Sequence, residues 1–257
     1  MTSPQVDLDG ADLEVVGRIR SASNATYLAQ IGELEVVYKP VAGERPLWDF
    51  PDGTLAGREV AAYAVSEASG WGLVPRTWLR DGPLGPGMVQ LWQTVDGSRA
   101  PVDVVPTAEV PRSGVRVVLE GSDGEGRPVT LVHEDSGALR RMAVFDAVVN
   151  NADRKGGHVL PLPDGRLLGV DHGVTFHVDP KLRTVLWGWL GGELDADELE
   201  GVARVRDGLH GDLGHRLGAL VTEREVAALD RRCERLLQDP RFPAPAGDMP
   251  AVPWPLF

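Results

Sequence analysis

The chain has 257 residues, with 26 lysines and arginines against 38 aspartates and glutamates, for a formal net charge of -12. That balance argues against duplex nucleic acid or an anionic membrane surface as the main partner, because both are polyanions. With 42% hydrophobic residues the chain can bury a sizeable core, while no segment nears the roughly 20 apolar residues of a membrane span.

Residues 1–7 lack a basic start followed by an apolar run, so the expected location is the cytoplasm. A single cysteine, Cys233, excludes an internal disulfide, and its setting in Arg231-Arg232-Cys233-Glu234 suits a structural role. Lysine occurs only at Lys39, Lys155 and Lys181, so each is a candidate for work that arginine cannot do.

In chain order, residues 13–20, 26–31 and 33–39 alternate or carry β-branched side chains and read as a meander of strands, with Gly32-Glu33 as a tight turn. Val60, Ala61, Ala64, Val65 and Ala68 recur at helical spacing over 56–69, and Gly70 supplies the stop. Strands follow at 76–79 and 87–93, separated by Asp81-Gly82-Pro83. A Pro-rich connection with Pro101, Pro106 and Pro111 leads to strands at 115–119 and 128–132, then to a helix capped by Ser136 that runs to Asn150. Short strands flank Gly165 at 159–162 and 167–170. Helices are expected at 195–206 and 222–237, the second opening with a Thr222/Glu225 capping box. The tail from Asp239 is rich in proline and reads as extended, with Trp254, Leu256 and Phe257 available to pin it. The predicted class is α+β with two lobes, a sheet-rich part over 1–93 and a mainly helical part with the Pro-rich tail over 94–257.

The chemistry is concentrated in one short stretch. The helix ending at Asn150 runs into Asn151-Ala152-Asp153-Arg154-Lys155-Gly156-Gly157-His158, and a hairpin follows that ends in Asp171-His172-Gly173. A hairpin brings its ends together, so Asp153, His158 and Asp171 can face one pocket. Phosphoryl transfer needs such a set: a phosphate cradle, a lysine, metal-binding groups and a carboxylate beside the attacking hydroxyl. Taken singly, Asp153 and Asp171 read equally well as turn residues beside glycine.

Phe145 to Leu160 followed by Gly169 to Phe176 resembles the catalytic core of the phosphatidylinositol 3-/4-kinase-like family within the protein-kinase-like superfamily, closest to a short actinobacterial branch. The likeness extends to Val36-Val37-Tyr38-Lys39-Pro40, Gly57-Arg-Glu-Val-Ala-Ala-Tyr63 and Met88-Val-Gln-Leu-Trp92, and covers roughly residues 13–190. It implies an ATP-dependent phosphotransferase with the nucleotide between two lobes. Asp153 would orient the acceptor hydroxyl or take its proton, with Arg154 beside it in the catalytic loop. Lys39, paired with Glu59, would hold the phosphates. The turn containing Ser21, Ser23 and Asn24 would cover them, Gln90, Leu91 and Trp92 would receive the adenine, and Asp171 would bind the metal, Mn²⁺ or Mg²⁺.

Two positions depart from the family pattern: His158 stands where the family has asparagine as second metal ligand, and Lys155 stands where a histidine often follows Asp-Arg. Imidazole suits borderline metals better, so the expectation is a preference for Mn²⁺ that weakens below about pH 6.5 as the ring protonates. The acceptor implied is a hydroxyl of a protein or small molecule, because after Asp171-His172-Gly173 only Lys181 and Arg183 could meet a multiply charged headgroup. Two alternatives use the same lobes: a nucleotide-binding pseudokinase scaffold and a protein adenylyltransferase. His172, His177, His210 and His215 fit no zinc-ligand spacing.

Overall fold

The computed structural model describes residues 8, 10–20, 24–51, 54–246 and 250–257. Its first part is a five-stranded antiparallel sheet made of β1 (Leu13–Arg18), β2 (Tyr27–Ile31), β3 (Leu34–Pro40), β4 (Thr77–Gly82) and β5 (Gly85–Leu91), in the order β1-β2-β3-β5-β4. Side chains alternate between the faces of a strand, and β3 shows the result. Val36 and Tyr38 join Ala29, Ile31 and Val89 in the core on one face. Lys39, opposite Met88 of β5, belongs to the other face, where Met88 packs on Ala56 and Val60.

Those two residues sit on α1 (Leu55–Ser69), which lies between β3 and β4 in the chain. Thr54 caps it by accepting from the Gly57 N–H at 2.9 Å, and Glu44 accepts from the Leu55 and Ala56 N–H groups. Such caps satisfy donors the helix cannot, and losing one costs about 1 kcal/mol. Small residues on several faces let α1 be buried on both sides: Ala61, Ala64 and Val65 join the core of the second part.

Between the sheet and the helices lies a three-stranded antiparallel sheet of β6 (Val102–Pro106), β7 (Val115–Ser122) and β8 (Pro128–Glu134), ordered β6-β8-β7. The expected strands at 115–119 and 128–132 are present, and β6 was hidden by its prolines. It is an edge strand, where a residue without an N–H is tolerated. α2 (Gly137–Val149) follows, then the hairpin of β9 (Val159–Pro161) and β10 (Leu167–Gly169). Next come α3 (Ala196–Gly208), α4 (Asp212–Gly218) and α5 (Glu223–Gln238). Both capping residues of the Thr222/Glu225 box are engaged. The short α4, with two glycines in seven residues, carried too weak a helical signal to be foreseen. Phe145 and Val148 of α2, Val205 of α3 and Leu229 and Cys233 of α5 build one core. Cys233 is fully buried and its thiol is pushed up to about 12 by that burial, so it is no nucleophile.

The chain is therefore α+β, sheet-rich first and mainly helical after Glu134. Among the described residues no helix is long and apolar enough to cross a membrane.

Candidate functional site

The 151–158 loop is held in place before any ligand is considered. α2 ends at Asn150, whose backbone is left-handed with φ 56°, a conformation asparagine tolerates. Its side-chain amide donates to the carbonyls of His177 and Asp179 and accepts from the Lys181 N–H. Arg154 is fully buried, with Nε and Nη2 on the carboxylate of Asp146, Nη1 on the carbonyls of His158 and Val170, and Nη2 also donating to His172 Nε2 at 2.7 Å. A guanidinium has five N–H donors, and all are used here. Arg154 is therefore a positioning residue and does not reach a substrate, which corrects its expected place in the catalytic set. Asp146 was the missed half of this pair. Its signal was a lone carboxylate inside the apolar run Val144-Phe145-Asp146-Ala147-Val148, since a charge in such a run must find a buried partner.

Next to this cage, three distant segments meet at Lys39. Its Nζ lies 2.6 Å from Glu59 Oε1 and 2.8 Å from Asp171 Oδ1. Glu59, 2% exposed, uses its other oxygen to accept the His172 N–H at 2.9 Å, so one carboxylate ties β3, α1 and the 171–173 turn together. Burial opposes the ammonium charge, but Asp171 and Glu59 outweigh it and hold Lys39 above the usual lysine range. Asp171 is correspondingly held below the usual carboxylate range by Lys39, whereas burial pushes Glu59 up. Asp171 also has φ 61°, a strained conformation of the kind retained where function requires it.

His158 closes the other side. Its Nδ1 meets the Asp153 carbonyl at 3.0 Å and must donate there, which leaves the Nε2 lone pair facing Asp171 Oδ2 at 3.4 Å. A backbone acceptor that fixes the tautomer is what orients a metal-ligating imidazole. Burial pushes the ring down to about 4, so it stays neutral well below neutral pH. The expected weakening below about pH 6.5 is thereby corrected to a lower range. Among the described residues no group of three or more His, Cys, Asp or Glu side chains could hold a metal ion. Asp171 and His158 are by themselves too few to hold a metal ion, so a cation between them would need further ligands that do not come from these side chains.

Lys39, Glu59, Asp153 and Asp171 line a cleft of about 440 Å³ with Arg183 also in its wall, whereas His158 stands behind Asp171 and is not part of the lining. Asp153 is raised by burial, partly offset by Lys155, whose Nζ lies 3.3 Å away. Arg183 was not among the expected site residues. Its Nε donates to the Pro250 carbonyl and its Nη2 meets that of Val252, so it anchors the tail beside the cleft.

The remaining expected contacts divide. Asn24 lines the cleft, but its Oδ1 accepts the Arg45 N–H, and Ser21 and Ser23 lie outside the described residues. Gln90, Leu91 and Trp92 do not line this cavity. Gln90 is buried with Nε2 on Thr77 Oγ1, and the N–H groups of Leu91 and Trp92 already donate to Arg76 and Glu35. The strand period explains this for Gln90: it shares a cross-strand pair with Thr77, which turns its amide into the sheet.

The tail is pinned as expected, with a correction to how. Gly156 N–H donates to the Leu256 carbonyl, and a Cβ at Gly156 would stand 2.2 Å from the Phe257 ring. Trp254, 81% exposed, pins nothing.

The chain matches no protein-family model. Among solved structures it aligns with the crystal structure of the Helicobacter pylori proinflammatory kinase CtkA. The alignment covers 93% of this chain and 95% of that one, at 11% identity and a TM-score of 0.44, a likeness too distant to transfer fold or activity. A curated relative, Protein Rv2133c of Mycobacterium tuberculosis, is 51% identical over 262 residues, covering 97% of this chain and 94% of its own. At that identity and coverage, the chain belongs to the same protein family as Protein Rv2133c.

Proposed function

We propose that the protein is an ATP-dependent phosphotransferase that moves the γ-phosphate to a hydroxyl of a protein or small molecule. The observation that carries this reading is the placement of Lys39 between Glu59 and Asp171 at the wall of a cleft that also holds Asp153. A lysine fixed by a buried glutamate is a preset point charge for phosphates, and its second partner is the carboxylate suited to the metal. Asp153 would take or orient the hydroxyl proton, and burial that raises its pKa makes it the better acceptor. In this reading the lobes are residues 1–93 and 94–257, consistent with membership of the phosphatidylinositol 3-/4-kinase-like family.

Asp171 and His158 would hold the divalent ion, which supplies charge neutralisation across the phosphates when bound. The neutral, oriented Nε2 of His158 favours Mn²⁺ over Mg²⁺. A phosphoinositide headgroup is disfavoured. Lys181 Nζ is paired with Asp49 at 3.1 Å, which leaves only Arg183, with Nε and Nη2 already on tail carbonyls, to meet a multiply charged headgroup.

The test is to supply ATP labelled at the α or the γ position with Mn²⁺ or Mg²⁺, alongside Asp153→Asn and Lys39→Met. Transfer of the γ label, lost in both variants and faster with Mn²⁺, supports the proposal. Transfer of the α label would make the protein an adenylyltransferase. Tight ATP binding without transfer of either label would make it a scaffold.

A further inference from the structure

A second cavity, about 820 Å³, lies against α5 and shares no lining residue with the Lys39 cleft. Its wall mixes apolar side chains, such as Leu182 and Phe242, with four arginines, Arg231, Arg232, Arg235 and Arg241. In a chain of net charge -12 such a concentration is out of proportion.

The arginines are not equivalent. Arg241 is taken, with Nη2 2.9 Å from Glu193 and Nη1 on the Gly191 carbonyl. Arg231 and Arg235 are exposed one turn apart on α5, and among the described residues neither has an ion-pair partner. Like charges at that spacing repel, so α5 is weakened by them unless an anion lies between.

Arg232 is 8% exposed. Its Nε donates to the Val148 carbonyl at 2.8 Å and its Nη1 meets the His177 carbonyl at 3.2 Å, but its Nη2 is buried without a hydrogen-bond partner. Burial pushes the guanidinium down to about 10, so it is still charged at neutral pH. A buried cation with no paired carboxylate and an unfilled N–H is costly, and such groups are normally satisfied. Two carboxylates also line the cavity. Glu234 is 2.9 Å from Arg206, and Asp239 sits near Arg241 at 3.9 Å, so neither serves Arg232.

We propose that this cavity is a binding site for a small ligand with an oxyanion head, phosphate or carboxylate, on an apolar body. The head would lie between Arg231 and Arg235 at the rim, with the uncompensated charge of Arg232 in the wall behind it, and the body would lie on Leu182 and Phe242. Guanidiniums suit both heads, which they bind with paired N–H donors. The site is independent of the Lys39 cleft, so its occupancy can be read without any phosphotransfer.

The experiment is calorimetric titration of the full chain with phenyl phosphate and, separately, with phenylacetate. Variants are Arg231→Gln/Arg235→Gln, Arg232→Lys, Lys39→Met as the cleft control and Arg224→Gln as a control on α5 away from the cavity. The double variant sits on an exposed face and keeps the test valid if Arg232→Lys fails to fold. The expected result is saturable binding of at least one compound, weakened about tenfold or more in the double variant and unchanged in both controls. Binding of one compound alone supports the site and names its head group. Heat from neither compound, binding that survives the double variant, or binding lost in Lys39→Met would overturn the proposal.

Discussion

Two charged clusters flank Asp153, and they differ in what surrounds them. Around Arg154 every N–H is taken by Asp146, His172 or a carbonyl and nothing is exposed. Around Lys39 the same ingredients, one cation and buried carboxylate, open onto a cleft, with the Asp171 side chain half exposed. A saturated ion pair holds backbone in place, while an ammonium at a cavity wall still has a partner to exchange. The contrast predicts that the first cluster governs stability and the second turnover.

The largest expected effect tests the closed cluster. Arg154→Leu leaves the Asp146 charge buried and unpaired, which should cost about 3–5 kcal/mol in urea unfolding. Adding Asp146→Leu should recover much of it. A stable Arg154→Leu protein without activity would instead place Arg154 in the chemistry. For the open cluster, Asp171→Asn should cut γ-phosphate transfer about a thousandfold, while unfolding free energy changes by under about 1 kcal/mol because asparagine tolerates the left-handed backbone. Collapse of stability in that variant would erase the distinction between the clusters.

A smaller effect lies where the tail meets the loop between them. Gly156→Ala drives a methyl into the Phe257 ring and should destabilise by about 1–3 kcal/mol, with faster proteolysis in the tail. Phe257→Ala in the same chain should remove most of that penalty. No relief would mean that the backbone of Gly156, and not the ring, sets the constraint.

The smallest prediction uses a remote group as a reference. His133 Nε2 accepts the Gly188 N–H at 3.0 Å and Nδ1 meets the Glu134 carbonyl, and burial lowers its pKa. A histidine lowered on folding binds fewer protons than in the unfolded chain, so its contribution is full above about pH 6.5 and falls as the pH drops toward its folded value. Stability should therefore decline across mildly acidic pH, and His133→Gln should flatten that decline. An unchanged slope would shift the cause to the buried histidines of the site.

Much of this architecture was legible in residue order. Period-two alternation marked β3 and set Lys39 on the face opposite Val36 and Tyr38, and Ser136 and Thr222 announced their helices. β6 and α4 were not legible, because prolines and glycines mask elements that survive at an edge or through packing.

The sequence by itself determined the class of fold, the loop at Asp153 and the turn at Asp171 on the two sides of a short hairpin, since these rest on local pattern. Only the tertiary structure decided which charges are spent and which remain available. Arg154 is enclosed by Asp146, Gln90 is turned into the sheet, and Arg232 is left with an unfilled N–H beside a cavity. Burial and hydrogen-bond partners come from segments far apart in the chain, and no local pattern encodes them.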